Sequence, residues 1–233
     1  VRDISRRELM ETRDAVARAR GDGAAIGFSR AAGVLFGWAV DRGWIDASPA
    51  VRMRNGLRNG TLPAWSEDQA REALSILPEH LRRPVVLALW TGQRRGDLIT
   101  MLWSDYDGAH IRLVQGKTGA ALTIPAHEDL RVELDAWGRS DGTILVNKFG
   151  RPWLGPNLSN QLGDIFAHNP RLRGLNIHGL RKLAATRLAQ AGCSPHEIAA
   201  ITGHRTLAMV AHYTRSVDQH QAAEVAIGRL SKL

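Results

Sequence analysis

His178, Arg181, His204 and Tyr213 are gathered in one stretch of the chain, HGLRKLAATRLAQAGCSPHEIAAITGHRTLAMVAHYTR, from His178 to Arg215. Arginine carries a permanent positive charge on a planar fork that matches the oxygens of an anion. Histidine moves a proton near neutral pH, and a tyrosine hydroxyl becomes a nucleophile once a neighbour accepts its proton. His178 and Arg181 are three apart at the start of an alternating Leu/Ala pattern, so a helix carries both on one face of its first turn. That helix end points backbone N–H groups outward and favours an anion. Ser194, Pro195 and Glu197 form the start signal of a second helix, which Gly203 closes. His204 then stands in a turn, and Thr206 opens a third helix that carries Tyr213.

The order His-x-x-Arg, then Gly-His, then a tyrosine nine residues past that histidine resembles the C-terminal signature of the tyrosine recombinases, the phage-integrase class of DNA-cleaving and rejoining enzymes. That family also carries an upstream arginine in a Thr-Gly-x-Arg-x-x-acid-Leu setting. Residues 91 to 98, TGQRRGDL, place it at Arg94 with the acid at Asp97, where many members have glutamate. GKTG at 116 to 119 puts Lys117 where the family has a hairpin lysine. Each fragment recurs by chance in chains of this length, but six ordered positions do not.

The resemblance implies a catalytic set of Arg94, Lys117, His178, Arg181, His204 and Tyr213, with Asp97 orienting an arginine from behind. A phosphodiester repels nucleophiles, and attack spreads more charge onto its non-bridging oxygens, which the two guanidinium groups would stabilise. Tyr213 would attack to give a 3′-phosphotyrosine and free a DNA hydroxyl, with His178 as base and Lys117 as the acid on the leaving oxygen. The covalent bond conserves the energy of the broken one, so no metal, ATP or other cofactor is expected. The implied fold is mainly α with a small antiparallel β-sheet. The implied partners are a duplex attachment site, three further copies of the chain on DNA, and accessory DNA-bending proteins, in the cytoplasm of a bacterial host.

Composition is consistent with this. The 233 residues carry a formal charge of +8 and a pI near 10.6, which suits a polyanion without choosing among DNA, RNA and an anionic membrane. No unbroken apolar run reaches membrane length, so no span or membrane partner is expected. The single Cys193 excludes an internal disulfide. Starting at Val1, the chain reads as a fragment of something longer.

The remaining elements would position these groups. Residues 5 to 20 begin with a Ser5/Glu8 capping box and read as a helix. A second helix from about Ala24 to Asp41 would bury a stripe of Phe28, Ala31, Leu35, Trp38 and Ala39. Together, residues 1 to 60 resemble part of the small helical core-binding domain of phage integrases, with 11 basic against 7 acidic side chains. Residues 51 to 63, rich in Asn-Gly and holding Arg52, Arg54 and Arg58, read as a basic linker to about 65 that would clamp phosphate. The catalytic domain is expected over 66 to 233, opening on a capping box at Ser66. Pro84 would start its buried helix. Period-two alternation from His110 to Pro125 predicts a hairpin with Lys117 at its exposed end. Further expectations are a helix over 127 to 137, a short strand at 144 to 146, a helix over 156 to 168, and an amphipathic tail from Ser216.

Three other readings stand beside this one. His196, His204 and His212 could suggest a metal, but steps of eight do not bring three ligands together on one helix. EIAAITGHRTLAMVAHY also scans as the helix-turn-helix of a non-enzymatic DNA-binding regulator, which would leave Arg94, Lys117 and Tyr213 without a joint use. A type IB topoisomerase shares the chemistry but relaxes supercoils, and the integrase-like front of the chain argues against it.

Overall fold

The structure, a computed structural model, describes residues 3–58, 60, 63–214, 223 and 227–228. It divides into two compact units, Val1–Thr61 and Leu62–Leu233. The tail helix expected from Ser216 lies outside the described residues, apart from isolated positions.

The first unit pairs α1 (Arg6–Arg20) with α2 (Asp22–Asp41). Ser5 caps α1, its hydroxyl accepting from the Glu8 N–H while the Glu8 carboxylate accepts from the Ser5 N–H. Gly21, at φ +80°, turns the chain so abruptly that α2 begins at once, two residues earlier than expected. The buried residues of α2 are Ala25, Ile26, Ser29, Ala32, Phe36 and Ala39, while Leu35, Trp38 and Ala31 face outward. The buried face thus differs from the expected one: α2 is apolar nearly all round, and the small residues mark the side that α1 approaches. By length and composition alone α2 could cross a membrane, with a window of mean hydropathy 1.3, but Arg30 sits mid-helix and Phe36 packs with Leu9 of α1 in a local core.

Residues 51 to 56 do not form a free linker. They wind in turns against this unit, burying Met53 beside Leu9 and Phe36, and Arg13 donates to the Met53 carbonyl at 2.8 Å. One buried methionine supplies the apolar anchor that the polar composition concealed. Arg52, Arg54 and Arg58 remain exposed.

The second unit begins with α3 (Glu67–Ile76), capped by Ser66 and Gln69, and α4 (Glu79–Thr91), capped by Pro78. Pro84 lies inside α4 rather than at its start. The burial of Val85, Leu87 and Ala88, each 0% exposed, offsets the one N–H that is missing there. Gly92, left-handed at φ +63°, ends α4, and Arg94 caps the short α5 (Arg95–Thr100). A hairpin follows, β1 (His110–Val114) against β2 (Ala121–Pro125), with Ile111 opposite Ile124 on the inward face. Then come α6 (Glu128–Trp137) and α7 (Gly155–Ala167). Between them, residues 143 and 146 make isolated bridges to Leu102 and Pro152 instead of the expected strand. Next come α8 (Ile177–Gln190), α9 (Pro195–Thr202) and α10 (Leu207–Thr214), which pack on one another, with α8 also against α4. The architecture is mainly helical with one small antiparallel sheet.

Candidate active site

Arg181 lies at the centre. It is 2% exposed on α8, and its Nη1 donates to the Gly92 carbonyl at 2.8 Å and the Thr202 carbonyl at 2.6 Å. Those carbonyls sit at the C-terminal ends of α4 and α9, where the helix dipole is negative. The guanidinium is thus anchored by main-chain dipoles and keeps its net charge. Its Nη2 has no hydrogen-bond partner among the described residues, a costly condition for a buried donor. Burial first, and the neighbouring Arg94 second, pull its pKa down to about 10, so it is still a cation at neutral pH.

Arg94 is held by a neutral group as well. Its Nη1 donates to Gln115 Oε1 at 2.6 Å, while Asp97 Oδ2 stays 3.8 Å away. Asp97 is buried and turns its other oxygen to the Gly116 N–H at 2.9 Å, so it ties α5 to the hairpin turn. One carboxylate between two guanidinium groups leaves the cluster net positive.

His204 follows Gly203 in the turn after α9. Thr202 Oγ1 lies 2.6 Å both from His204 Nδ1 and from the Ile198 carbonyl, fixing the imidazole. Desolvation, then the charges of Arg181 and Arg94, hold its pKa near 4, so it is neutral at physiological pH. Its ring is 6.1 Å from that of Tyr213, tilted by 45°. Tyr213, on α10, is half-buried beside Val210 and Ile198. Burial raises the pKa of its hydroxyl, and Arg181 works in the opposite direction.

His178 shares α8 with Arg181 but stands exposed, while Arg181 points into the core. Desolvation first, then the charges of Arg181, Lys182, Arg94 and Lys117, lower its pKa. The helix end does not offer its first N–H groups to an anion as expected, because Asn176 Oδ1 accepts from those of His178 and Gly179. Lys117 is exposed on the hairpin turn, near enough for its charge to be felt at His178. The six sequence-derived positions and Asp97 therefore occupy one region of the second unit. Arg52, Arg54 and Arg58 belong to the first. Among the described residues no group of histidine, cysteine and carboxylate side chains could hold a metal.

Sequence reasoning missed two residues, Gln93 and Gln115, both fully buried. Gln115 Nε2 donates to Gln93 Oε1 at 2.6 Å and the Thr202 carbonyl at 2.8 Å, and Gln93 Nε2 donates to the carbonyls of Thr91 and Ile201. The available signal was positional: Gln115 follows Ile111 and Leu113 at period two, a polar residue on the inward face of a hairpin. Gly203 is explained by the same network. A Cβ there would collide with the Gln115 side-chain amide, and its φ of +68° suits glycine.

The family model described as phage integrase family matches residues 65–220. The chain is 30% identical over 205 residues to an integrase of Escherichia phage HK022, covering 78% of this chain and 55% of that protein. It is 32% identical over 199 residues to tyrosine recombinase XerC of Mycobacterium sp. strain KMS, covering 76% and 66%. It thus spans between about half and two thirds of these relatives' length. A lambda integrase tetramer bound to a Holliday junction superposes with a TM-score of 0.71 at 23% identity, over 88% of this chain and 66% of that one, a likeness of fold.

Proposed function

The chain belongs to the phage integrase family, and from that premise we propose that it is a site-specific DNA recombinase that cleaves and rejoins strands through a 3′-phosphotyrosyl intermediate. The observation that carries the reading is Arg181. It is a buried cation anchored by two carbonyls, with a second nitrogen left unpartnered among the described residues, inside the field shared by Arg94 and Tyr213. A non-bridging phosphoryl oxygen would satisfy that nitrogen, and the charge developing on attack would be met by groups already in place.

In this reading Tyr213 attacks phosphorus and the 5′ oxygen leaves. The raised pKa of Tyr213 means that its proton must be taken during attack. His178, whose pKa is lowered by burial and by the surrounding cations, is the base. Lys117, exposed on its turn, protonates the leaving oxygen, and His204 completes the binding of the phosphoryl group. Attack of a different 5′ hydroxyl reverses the step and joins new partners. Residues 66 to 233 would form the catalytic domain, and residues 1 to 60 part of a core-binding domain in which Arg52, Arg54 and Arg58 contact phosphates. Assembly as four copies on two duplexes, with accessory DNA-bending proteins, in the bacterial cytoplasm, completes the proposal; the tetrameric lambda integrase on a Holliday junction supports the stoichiometry.

The test uses a radiolabelled pool of nicked duplexes of randomised sequence, enriched by binding to the protein. The nick lets a short product diffuse away and traps the covalent adduct, which is read on a denaturing gel. The wild-type chain is expected to form the adduct and Tyr213→Phe to form none. An adduct that survives Tyr213→Phe would remove the assignment of the nucleophile.

A further inference from the structure

We infer that Gln115 is a positioning residue for the proposed cleavage reaction, acting through Arg94 and through the turns that carry Lys117 and His204; the inference rests on the function proposed above. Its side-chain amide is completely buried and fully used. Oε1 accepts from Arg94 Nη1 at 2.6 Å and from Thr118 Oγ1 at 2.7 Å; Nε2 donates to Gln93 Oε1 at 2.6 Å and to the Thr202 carbonyl at 2.8 Å. These hydrogen bonds reach three separate pieces of the site.

One of them is the guanidinium of Arg94. Another is the turn holding Lys117, since Thr118 is its immediate neighbour and the Gln115 main chain closes that turn, donating to the Ala120 carbonyl and accepting from the Gly119 N–H. The third is the end of α9, where the Thr202 carbonyl that Gln115 binds also receives Arg181 Nη1, and where His204 follows two residues later. Both lone pairs of that carbonyl are thereby occupied, so one acceptor places Arg181 directly and Arg94 through Gln115.

The neutrality of the amide matters as much as its reach. A carboxylate at 115 would bind Arg94 more strongly but cancel the charge a phosphoryl group needs, and would set an acceptor against two others, Gln93 Oε1 and the Thr202 carbonyl. An amide has one accepting and one donating end, which is what a cation on one side and carbonyl oxygens on the other require. Gln93 fixes that orientation, because its own Nε2 is committed to two carbonyls and leaves only its oxygen to face Gln115.

The test compares Gln115→Met, which retains length without hydrogen bonds, and Gln115→Glu, alone and with Arg94→Lys, on the enriched nicked-duplex pool. DNA affinity is measured by filter binding, the cleavage rate by single-turnover adduct formation, and folding by the urea midpoint. Losing an orienting partner behind a functional group typically costs about 10- to 100-fold in activity. The expected result is a loss of about that size in the cleavage rate for Gln115→Met, DNA affinity within about threefold of wild type, and a smaller fold-loss when the change is made on Arg94→Lys, where the part acting through Arg94 is already gone while the contacts to Thr118 and the Thr202 carbonyl remain. Gln115→Glu should lose at least as much rate as Gln115→Met. Equal losses in both Arg94 backgrounds, an unchanged rate in Gln115→Met, or a rate that follows only the urea midpoint would each overturn the role of Gln115 while leaving the recombinase reading in place. Absence of adduct from the wild-type chain would overturn both.

Discussion

At the scale of single residues, the site gives its arginines neutral acceptors and lowers the pKa of both its histidines. Carbonyl oxygens and an amide hold the guanidinium groups without cancelling them, and burial, with that positive field added, disfavours protonation of His178 and His204. A consequence for stability follows from His204. Its folded pKa, near 4, lies below the value of about 6.5 it would have in the unfolded chain. Between those values the unfolded state binds a proton that the folded state does not, so stability is fully present above about pH 6.5 and is lost as pH falls toward 4. The urea midpoint should fall between about pH 7.5 and about pH 5, and His204→Gln, which cannot titrate, should reduce that fall. An equal fall in the variant would show that the imidazole is not held neutral by this surrounding. The groups that make this field were readable in the sequence because their types and order are specific to one chemistry. Gln93 and Gln115 were harder to read: the alternation with Ile111 and Leu113 points Gln115 inward but names no partner for it, and Gln93, between α4 and α5, is defined only by the distant groups it meets.

At the scale of elements, helices announced by local chemistry stand where the sequence puts them. The Ser5, Ser66 and Ser194 capping boxes all form, since each needs only residues three apart. Elements whose limits depend on distant packing were less legible: α4 continues through Pro84, α2 turns a different face inward, and residues 51 to 56 fold back on Met53. Gly203 combines both kinds of constraint, a left-handed backbone and a space already filled by Gln115. These separate by comparison with Gly43, which has nearly the same φ, +66°, but nothing within 4 Å of the point to which a methyl group would project. Gly43→Ala should cost roughly 1 to 2 kcal/mol from the backbone alone. Gly203→Ala should lower the urea midpoint further and slow adduct formation, because the methyl group must displace the amide that positions Arg94. Equal destabilisation by the two changes, with cleavage unaffected, would mean that Gln115 yields without consequence.

At the scale of the whole molecule, the excess of positive charge is shared by the two units, but the proposed division of labour between them is unequal. The second unit would bind the reacting phosphate through a few fixed cations, while Arg52, Arg54 and Arg58 of the first would add affinity for the duplex backbone without selecting sequence. Each phosphate neutralised releases counterions and contributes about 0.9 to the slope of log affinity against log salt for duplex DNA. Replacing all three by glutamine should therefore lower that slope by as much as about 3 units, while weakening binding similarly on different duplexes. The comparison is Arg7, Arg71 and Arg112 changed to glutamine together, which removes the same formal charge from residues already paired with Glu11, Asp68 and Asp107 at 2.8, 2.5 and 2.5 Å. Filter-binding titrations from low to moderate salt read both slopes. Should the two triple variants lose the same amount, net charge would be the cause and the position of the three arginines would be immaterial. A larger loss for Arg52, Arg54 and Arg58 would assign the contacts to that segment, whose turns are fixed by Met53 and Arg13 and so present these side chains from a folded surface.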